Sequence, residues 1–199
     1  MEIRKIDIGH IKIMPPKTKK TNNVAIFLDR DGTLIYDVGY PKHPEQVKMK
    51  PGAIQTLKKL KDYGYKLVIV TNQSGIGRGI LTVEDVEKVN KRLLAILARH
   101  GIKIDAIYYC PHAPEDNCSC RKPSPNMLLM ASMDLNINLS SSYIIGDKRS
   151  DMEAGFNAGC KKIFLGIESS DIKDLEIDYM ADDWYNIMEY FSRINGWGL

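Results

Sequence analysis

The sequence has no apolar run approaching the roughly 20 residues needed to cross a bilayer, which argues against a membrane-embedded protein. Its first residues set charges among isoleucines and lack the apolar stretch of a secretory leader. Neither an internal repeat nor a low-complexity tract is present. Charge of one sign is also scarce. A formal net charge of +3 is too small to nominate nucleic acid or a membrane surface as partner, and is merely compatible with an anionic substrate. Cysteine is sparse, and three of the four thiols fall between positions 110 and 120, beside His112. Such clustering does not make a disulfide framework; it points to metal ligation in a reducing compartment, so a cytoplasmic location is expected. What remains is an ordinary globular composition, 44% hydrophobic and 27% charged over 199 residues, enough chain for one domain with a real core.

The richest stretch is Val24-Ala25-Ile26-Phe27-Leu28-Asp29-Arg30-Asp31-Gly32-Thr33. Five apolar residues without a polar break suit a strand buried on both faces of a parallel sheet. Asp29 and Asp31 then follow at the carboxyl end of that strand, where open α/β sheets place their ligands. Gly32 permits a sharp turn immediately after them. A cation and a phosphate would both suit this arrangement, although Asp and Gly are also common turn residues.

Residues 1–23 are the least readable. Ile6, Ile8, Ile11 and Ile13 hint at alternation before a basic linker, Pro15-Pro16-Lys17-Thr18-Lys19-Lys20. An added edge strand, a partner-binding tail or an expression remnant all fit. Residues 24–199 are expected to form one domain. Residues 34–50, with Gly39, Pro41 and Pro44, lack a helical period and should form a loop or small flap over the strand end. Pro51-Gly52 opens a helix with Ile54, Leu57 and Leu60 on one face, ending near Gly64. A second buried strand covers 66–70. Thr82 and Asp85 resemble a capping box opening a helix to about His100. Strands are further expected at 104–109, 143–146 and 162–165, and helices at 126–135 behind Ser124-Pro125, at 151–158 and near 182–194. In the last, Ile187, Met188 and Phe191 have core spacing. Strands alternating with helices predict a three-layer, Rossmann-like α/β fold around a central parallel sheet. No insertion is long enough for a cap domain, so the site should be open.

Three strand ends carry polar signatures: Asp29-x-Asp31, Thr71-Asn72, and Asp147 with Asp151. A parallel sheet brings such ends to one edge. Carboxylates and carbonyl oxygens are the ligands Mg²⁺ prefers, and a Thr hydroxyl or backbone N–H binds phosphate. Lys122 is placed to neutralise charge in a phosphoryl transition state. An Asp in such a site is a candidate covalent nucleophile. Asp147 is also readable as a helix cap, and Asp151 as an ordinary first-turn acid.

Cys110-x-His112 and Cys118-x-Cys120 supply three thiolates and an imidazole on one loop, residues 110–120. Four such ligands close a tetrahedral shell, the mark of structural rather than catalytic Zn²⁺. The metal is expected to aim Arg121 and Lys122 into the site. Cys160 reads as core, and His10, His43 and His100 as solvent-facing or helix-end residues.

Asp29-Arg30-Asp31-Gly32-Thr33, Thr71-Asn72-Gln73-Ser74-Gly75, Arg121-Lys122-Pro123 and Gly146-Asp147-Lys148-Arg149-Ser150-Asp151-Met152 resemble, in order, the four motifs of the haloacid dehalogenase superfamily, over roughly residues 24–165. The resemblance implies that Asp29 is the nucleophile and Asp31 the general acid–base. It implies Mg²⁺ on Asp29, the main-chain carbonyl of Asp31 and Asp147, and a phosphoryl cradle of Thr71, Asn72 and Lys122. Within the superfamily, Asp37-Val38-Gly39-Tyr40, Thr-Asn-Gln-Ser-Gly and the Cys/His loop resemble the D-glycero-D-manno-heptose 1,7-bisphosphate 7-phosphatase family. That likeness places Asp37, Val38, Gly39, Tyr40, Gln73, Ser74, Arg121 and Lys148 at a small phosphorylated sugar, with Arg121 suited to a second phosphate. The five residues between the ligand pairs instead resemble the shorter loop of histidinol-phosphate phosphatases, which keeps that substrate as the alternative. A monomer that binds neither nucleic acid nor membrane is expected.

Overall fold

Short, largely apolar runs become the central strands of one parallel sheet. The computed structural model describes residues 3–5, 23–167 and 170–197. In chain order the elements are β1 (Ile3–Lys5), β2 (Ala25–Leu28), α1 (Ala53–Asp62), β3 (Lys66–Asn72), α2 (Ser74–Gly77), α3 (Val83–Arg99) and β4 (Ala106–Cys110). They continue with α4 (Asn126–Leu135), β5 (Tyr143–Gly146), α5 (Arg149–Ala158), β6 (Lys161–Leu165), β7 (Tyr179–Ala181) and α6 (Trp184–Asn195). Among the described residues the sheet runs β1-β4-β3-β2-β5-β6-β7, every pairing parallel.

Alternate strand residues face opposite layers, because successive side chains point to opposite sides of a sheet. Ile26, Leu28, Ile69 and Ile145 share one core with Leu57 of α1, Leu93 of α3 and Phe191 of α6. Phe27, Val68, Val70 and Ile144 share the other with Leu128 of α4 and Met152 of α5. This is the expected three-layer α/β fold. Strand β2 lies in the middle, and the chain leaves it for β3 on one side and reaches β5 on the other, so a crevice opens at its carboxyl end.

The helix signals are mostly obeyed. Thr82 and Asp85 make a reciprocal capping box on α3, and Asp183 caps α6 through the N–H groups of Tyr185 and Asn186. At α4 the cap position falls on Pro125 rather than Ser124. Ser124 Oγ still accepts from Asn126 N at 3.3 Å and also donates to the Ser119 carbonyl. Residues 34–50 form a flap whose Ile35 bridges Met49. The short elements β1, α2 and β7 carry too little periodicity to be seen in the sequence. Of the open readings for residues 1–23, an edge strand is present at β1, whereas Ile6, Ile8, Ile11, Ile13 and His10 lie outside the described residues. Cys160, Ile187 and Phe191 are core, and His43 and His100 are exposed. Among the described residues no helix is long and apolar enough to cross a membrane.

Candidate active site

Asp29 directly follows β2, its N–H donating to the Ile145 carbonyl of β5 at 3.0 Å. Its carboxylate is buried and receives Lys122 Nζ at 2.6 Å. The same ammonium donates to the Val70 carbonyl at 2.8 Å and pairs with Asp151 at 2.5 Å. Asp151, in the first turn of α5, also accepts from Lys148 N at 3.0 Å. Asn72 holds the Lys122 backbone from both sides: its Nδ2 donates to the Lys122 carbonyl at 3.1 Å and its Oδ1 accepts from Lys122 N at 3.0 Å. The end of β2, strand β3, the first turn of α5 and the loop after β4 therefore converge on one ammonium.

Asp29, Asp147 and Asp151 each bring a carboxylate oxygen within 4.8 Å of the others. Thr33 Oγ1 donates to Asp147 Oδ1 at 2.7 Å. The turn between them needs glycine: Gly32 has φ +95°, and a Cβ there would sit 2.1 Å from Asp147 Oδ2. Burial pushes the Asp29 carboxyl up to about 6; Lys122 opposes this, and Asp151 and Asp31 reinforce it. Asp147 is likewise raised, by burial and then by the charge of Asp29. Burial pulls the Lys122 ammonium down, but Asp151 and Asp29 outweigh it and leave the group raised. Three crowded carboxylates, two of them reluctant to ionise, fit a hard divalent cation, whose charge removes that repulsion.

The Asp31 carboxylate is not part of this cluster. It accepts from Arg30 Nε and Nη2 and from Gln73 Nε2. Gln73 also donates to Thr71 Oγ1 at 3.0 Å and accepts from Arg30 Nη2 at 3.0 Å, while lining the cleft over Asp29.

The Cys/His loop begins at Cys110, the last residue of β4. Cys110, Cys118 and Cys120 have sulfurs 3.0–3.5 Å apart, and His112 Nδ1 lies 3.6 Å from Cys110 and 3.3 Å from Cys120. None is in a disulfide. The Cys110 thiol is pushed up, by hydrogen bonding with Cys120 and by burial. Three converging sulfurs and one imidazole fit Zn²⁺ in a closed tetrahedral shell. The loop leans on the site: Gln73 N donates to the Cys110 carbonyl at 2.7 Å, and Gly77 N donates to the Pro111 carbonyl at 2.8 Å. Arg121 Nη1 donates back to the His112 carbonyl at 3.4 Å.

A cleft of about 290 Å³ lies over Asp29, lined among others by Asp31, Thr71, Ser74, Arg121 and Lys148. Asp37, Gly39 and Tyr40 form its outer wall, while Val38 is exposed and outside the lining. Lys148 Nζ pairs with Asp37 at 3.1 Å, and Tyr40 Oη accepts from Arg78 at 2.9 Å. The Asp37 carboxyl is held low despite burial, through Gly39 N–H and Lys148. The sequence reading missed Arg30 and Asn90. Asn90 left a signal, a polar residue at helical spacing from Val86 and Leu93 within an apolar stripe.

The family described as polynucleotide kinase 3 phosphatase matches residues 23–177. A D-glycero-beta-D-manno-heptose-1,7-bisphosphate 7-phosphatase from Helicobacter pylori (strain J99) is 47% identical over 146 residues, 73% of this chain and 84% of that protein. The Escherichia coli (strain K12) protein of the same name is 43% identical over 172 residues, 79% of this chain and 90% of its own length. The structure of D,D-heptose 1,7-bisphosphate phosphatase from B. bronchiseptica, complexed with magnesium and phosphate, superposes with a TM-score of 0.80 at 29% identity, covering 86% of this chain and 99% of that one.

Proposed function

The chain belongs to the polynucleotide kinase 3 phosphatase family and, with its heptose bisphosphate relatives, to the haloacid dehalogenase-type phosphatases, and we propose that it removes the 7-phosphate of D-glycero-beta-D-manno-heptose 1,7-bisphosphate. The observation that carries the chemistry is Asp29, buried at a sheet switch point between Lys122 and two further carboxylates. The chain is a phosphoric monoester hydrolase, and residues 24–199 are its catalytic unit.

In this reading an Asp29 oxygen attacks phosphorus as the bond to the sugar oxygen breaks, and Asp31 gives that oxygen its proton. Water then attacks the aspartyl-phosphate, Asp31 takes a proton back, and phosphate leaves with Asp29 regenerated. Lys122 balances charge on the phosphoryl oxygens. Asn72 contributes by fixing Lys122, and Thr71 and Ser74 line the cradle. Asp29, Asp147 and the Asp31 carbonyl would hold Mg²⁺, which supplies further neutralisation of phosphoryl charge. Zn²⁺ on Cys110, His112, Cys118 and Cys120 would stiffen the loop that presents Arg121 and Lys122. Arg121 and Lys148 suit the second phosphate. The small cleft and modest charge support a small sugar phosphate over nucleic acid, and the free thiols support a cytoplasmic protein. The protein is proposed to act as a monomer.

The test is phosphate release with Mg²⁺ from both anomers of the heptose bisphosphate, beside histidinol phosphate. Preference for the beta anomer is expected. Preference for histidinol phosphate would transfer the substrate assignment to the loop length; activity on neither would remove the sugar from the proposal.

A further inference from the structure

Arg30 stands between the two aspartates of the first motif, and its side chain is fully buried. It turns away from the metal cluster and toward α3. Nε lies 3.2 and 3.1 Å from Asp31 Oδ1 and Oδ2, and Nη2 lies 2.8 Å from Oδ2. Nη2 also donates to Gln73 Oε1 at 3.0 Å, and Nη1 donates to Asn90 Oδ1 at 2.7 Å. Asn90 is itself fully buried, and its Nδ2 has no hydrogen-bond partner among the described residues.

This arrangement is unfavourable on its own terms. A buried guanidinium–carboxylate pair gains little over apolar residues of similar size, and an orphaned buried amide is a further penalty. Stability alone therefore does not explain why α3 carries Asn amid Val86, Val89 and Leu93. What Asn90 supplies is one oxygen that pins the far arm of the guanidinium. The near arms then hold the Asp31 carboxylate as a fork, with Gln73 fixing the same carboxylate from the side.

We propose that Arg30, pinned from behind by Asn90, is the positioning residue for Asp31, setting the direction from which that carboxylate reaches the leaving oxygen and later the attacking water. The proposal rests on Asp31 being the acid–base of the reaction. Arg30 and Asn90 touch neither substrate nor the reacting atoms; they act through Asp31.

The distinguishing measurement uses two leaving groups on the full-length, metal-loaded protein. The sugar bisphosphate leaves as a poor alkoxide that needs a proton, whereas 4-nitrophenyl phosphate leaves as a stable phenolate that does not. Loosening Asp31 should cut steady-state turnover of the sugar bisphosphate by about tenfold or more, a part of the range seen when acid–base groups are lost. With 4-nitrophenyl phosphate the first step should stay fast and hydrolysis of the aspartyl-phosphate should slow. The expected result in Asn90→Ala and Asn90→Ser is a burst of one nitrophenolate per enzyme followed by a slow rate. Asn90→Asp keeps an acceptor oxygen and should restore the wild-type pattern. Equal loss on both substrates without a burst, or no loss at all, overturns the proposal, as does failure of all three variants to fold. Asp31→Asn separates the two layers. Wild-type turnover there sinks the acid–base reading itself, whereas a dead Asp31→Asn beside normal Asn90 variants sinks only the positioning role.

Discussion

Lys122 Nζ lies 2.6 Å from Asp29 Oδ1 although 93 residues separate the two in the chain. The pair exists because β2 is central in the sheet and the loop after β4 is pulled back over its end by Asn72. Lys122 does not belong to Asp29 alone, since Asp151 competes for it at 2.5 Å. The charge of Asp151 beside the shared ammonium adds to burial in raising the Asp29 carboxyl.

Asp29→Asn should abolish phosphate release from every substrate while circular dichroism and zinc content stay as in the wild type. An amide is no nucleophile toward phosphorus, so the loss should span the full catalytic enhancement rather than a few fold. Substantial residual turnover would assign the nucleophile elsewhere.

The same substitution should stabilise the cation-free protein, with a definite pH dependence. The folded Asp29 carboxyl titrates near 6, above the ordinary 3.8. Between those values the folded state binds more protons than the unfolded state, so stability falls as pH rises through the window and stays reduced above it. Asn cannot ionise and escapes that penalty. In chelator, Asp29→Asn should therefore be more stable than the wild type at pH 7–8 by up to about 3 kcal/mol, since each pH unit between the folded and unfolded titration points corresponds to about 1.36 kcal/mol. The difference should shrink as pH falls through 3.8 and vanish well below it, where the carboxyl is protonated in both the folded and the unfolded state. Urea unfolding across pH 3.5–8 measures it; a difference independent of pH would deny the burial penalty.

Thr33→Val removes the hydroxyl that donates to Asp147 Oδ1 at 2.7 Å and keeps the shape of the side chain. Partners that orient a metal ligand typically contribute about 10–100-fold in affinity. The Mg²⁺ concentration for half-maximal activity should rise by about that factor, with activity at saturating Mg²⁺ largely retained. An unchanged Mg²⁺ requirement would take Asp147 out of the ligand set.

Cys118→Ser should release zinc, detectable with a colorimetric chelator after unfolding, and loosen the segment that carries Lys122. A loss of about 2 kcal/mol or more is expected, which moves Tm by about 4–8 °C in a chain of this size. Turnover should fall with it. Retained zinc and an unchanged Tm would dissolve the four-ligand assignment.

Asp151→Asn should leave Lys122 paired with Asp29 alone and reduce turnover by about 10²-fold, the scale of losing one preorganised charge. The plain first-turn reading of Asp151 predicts instead a change within the modest range of a helix-dipole contact. Steady-state kinetics on the sugar bisphosphate decide between them.

The sequence by itself determined the layered fold, the strand that ends in Asp29, and the metal-ligand loop. Each depends on local pattern: unbroken apolar runs, capping residues and tightly spaced soft ligands, all of which act over a few residues. It determined also that Asp29, Thr71, Lys122 and Asp147 meet, because parallel strands bring their carboxyl ends to one edge whatever the intervening chain. Only the tertiary structure decided which carboxylate does what. Asp151 became a partner of Lys122 rather than a surface acid, Gln73 came to bridge Arg30 and Asp31, and Asp31 turned to Arg30 and away from the cation cluster. Those outcomes depend on which side chains become buried together, whether the partners are neighbours in the chain, as Arg30 and Asp31 are, or 42 residues apart, as Asp31 and Gln73 are. Burial is what makes a charge seek one partner over another, and no local pattern in the chain encodes it.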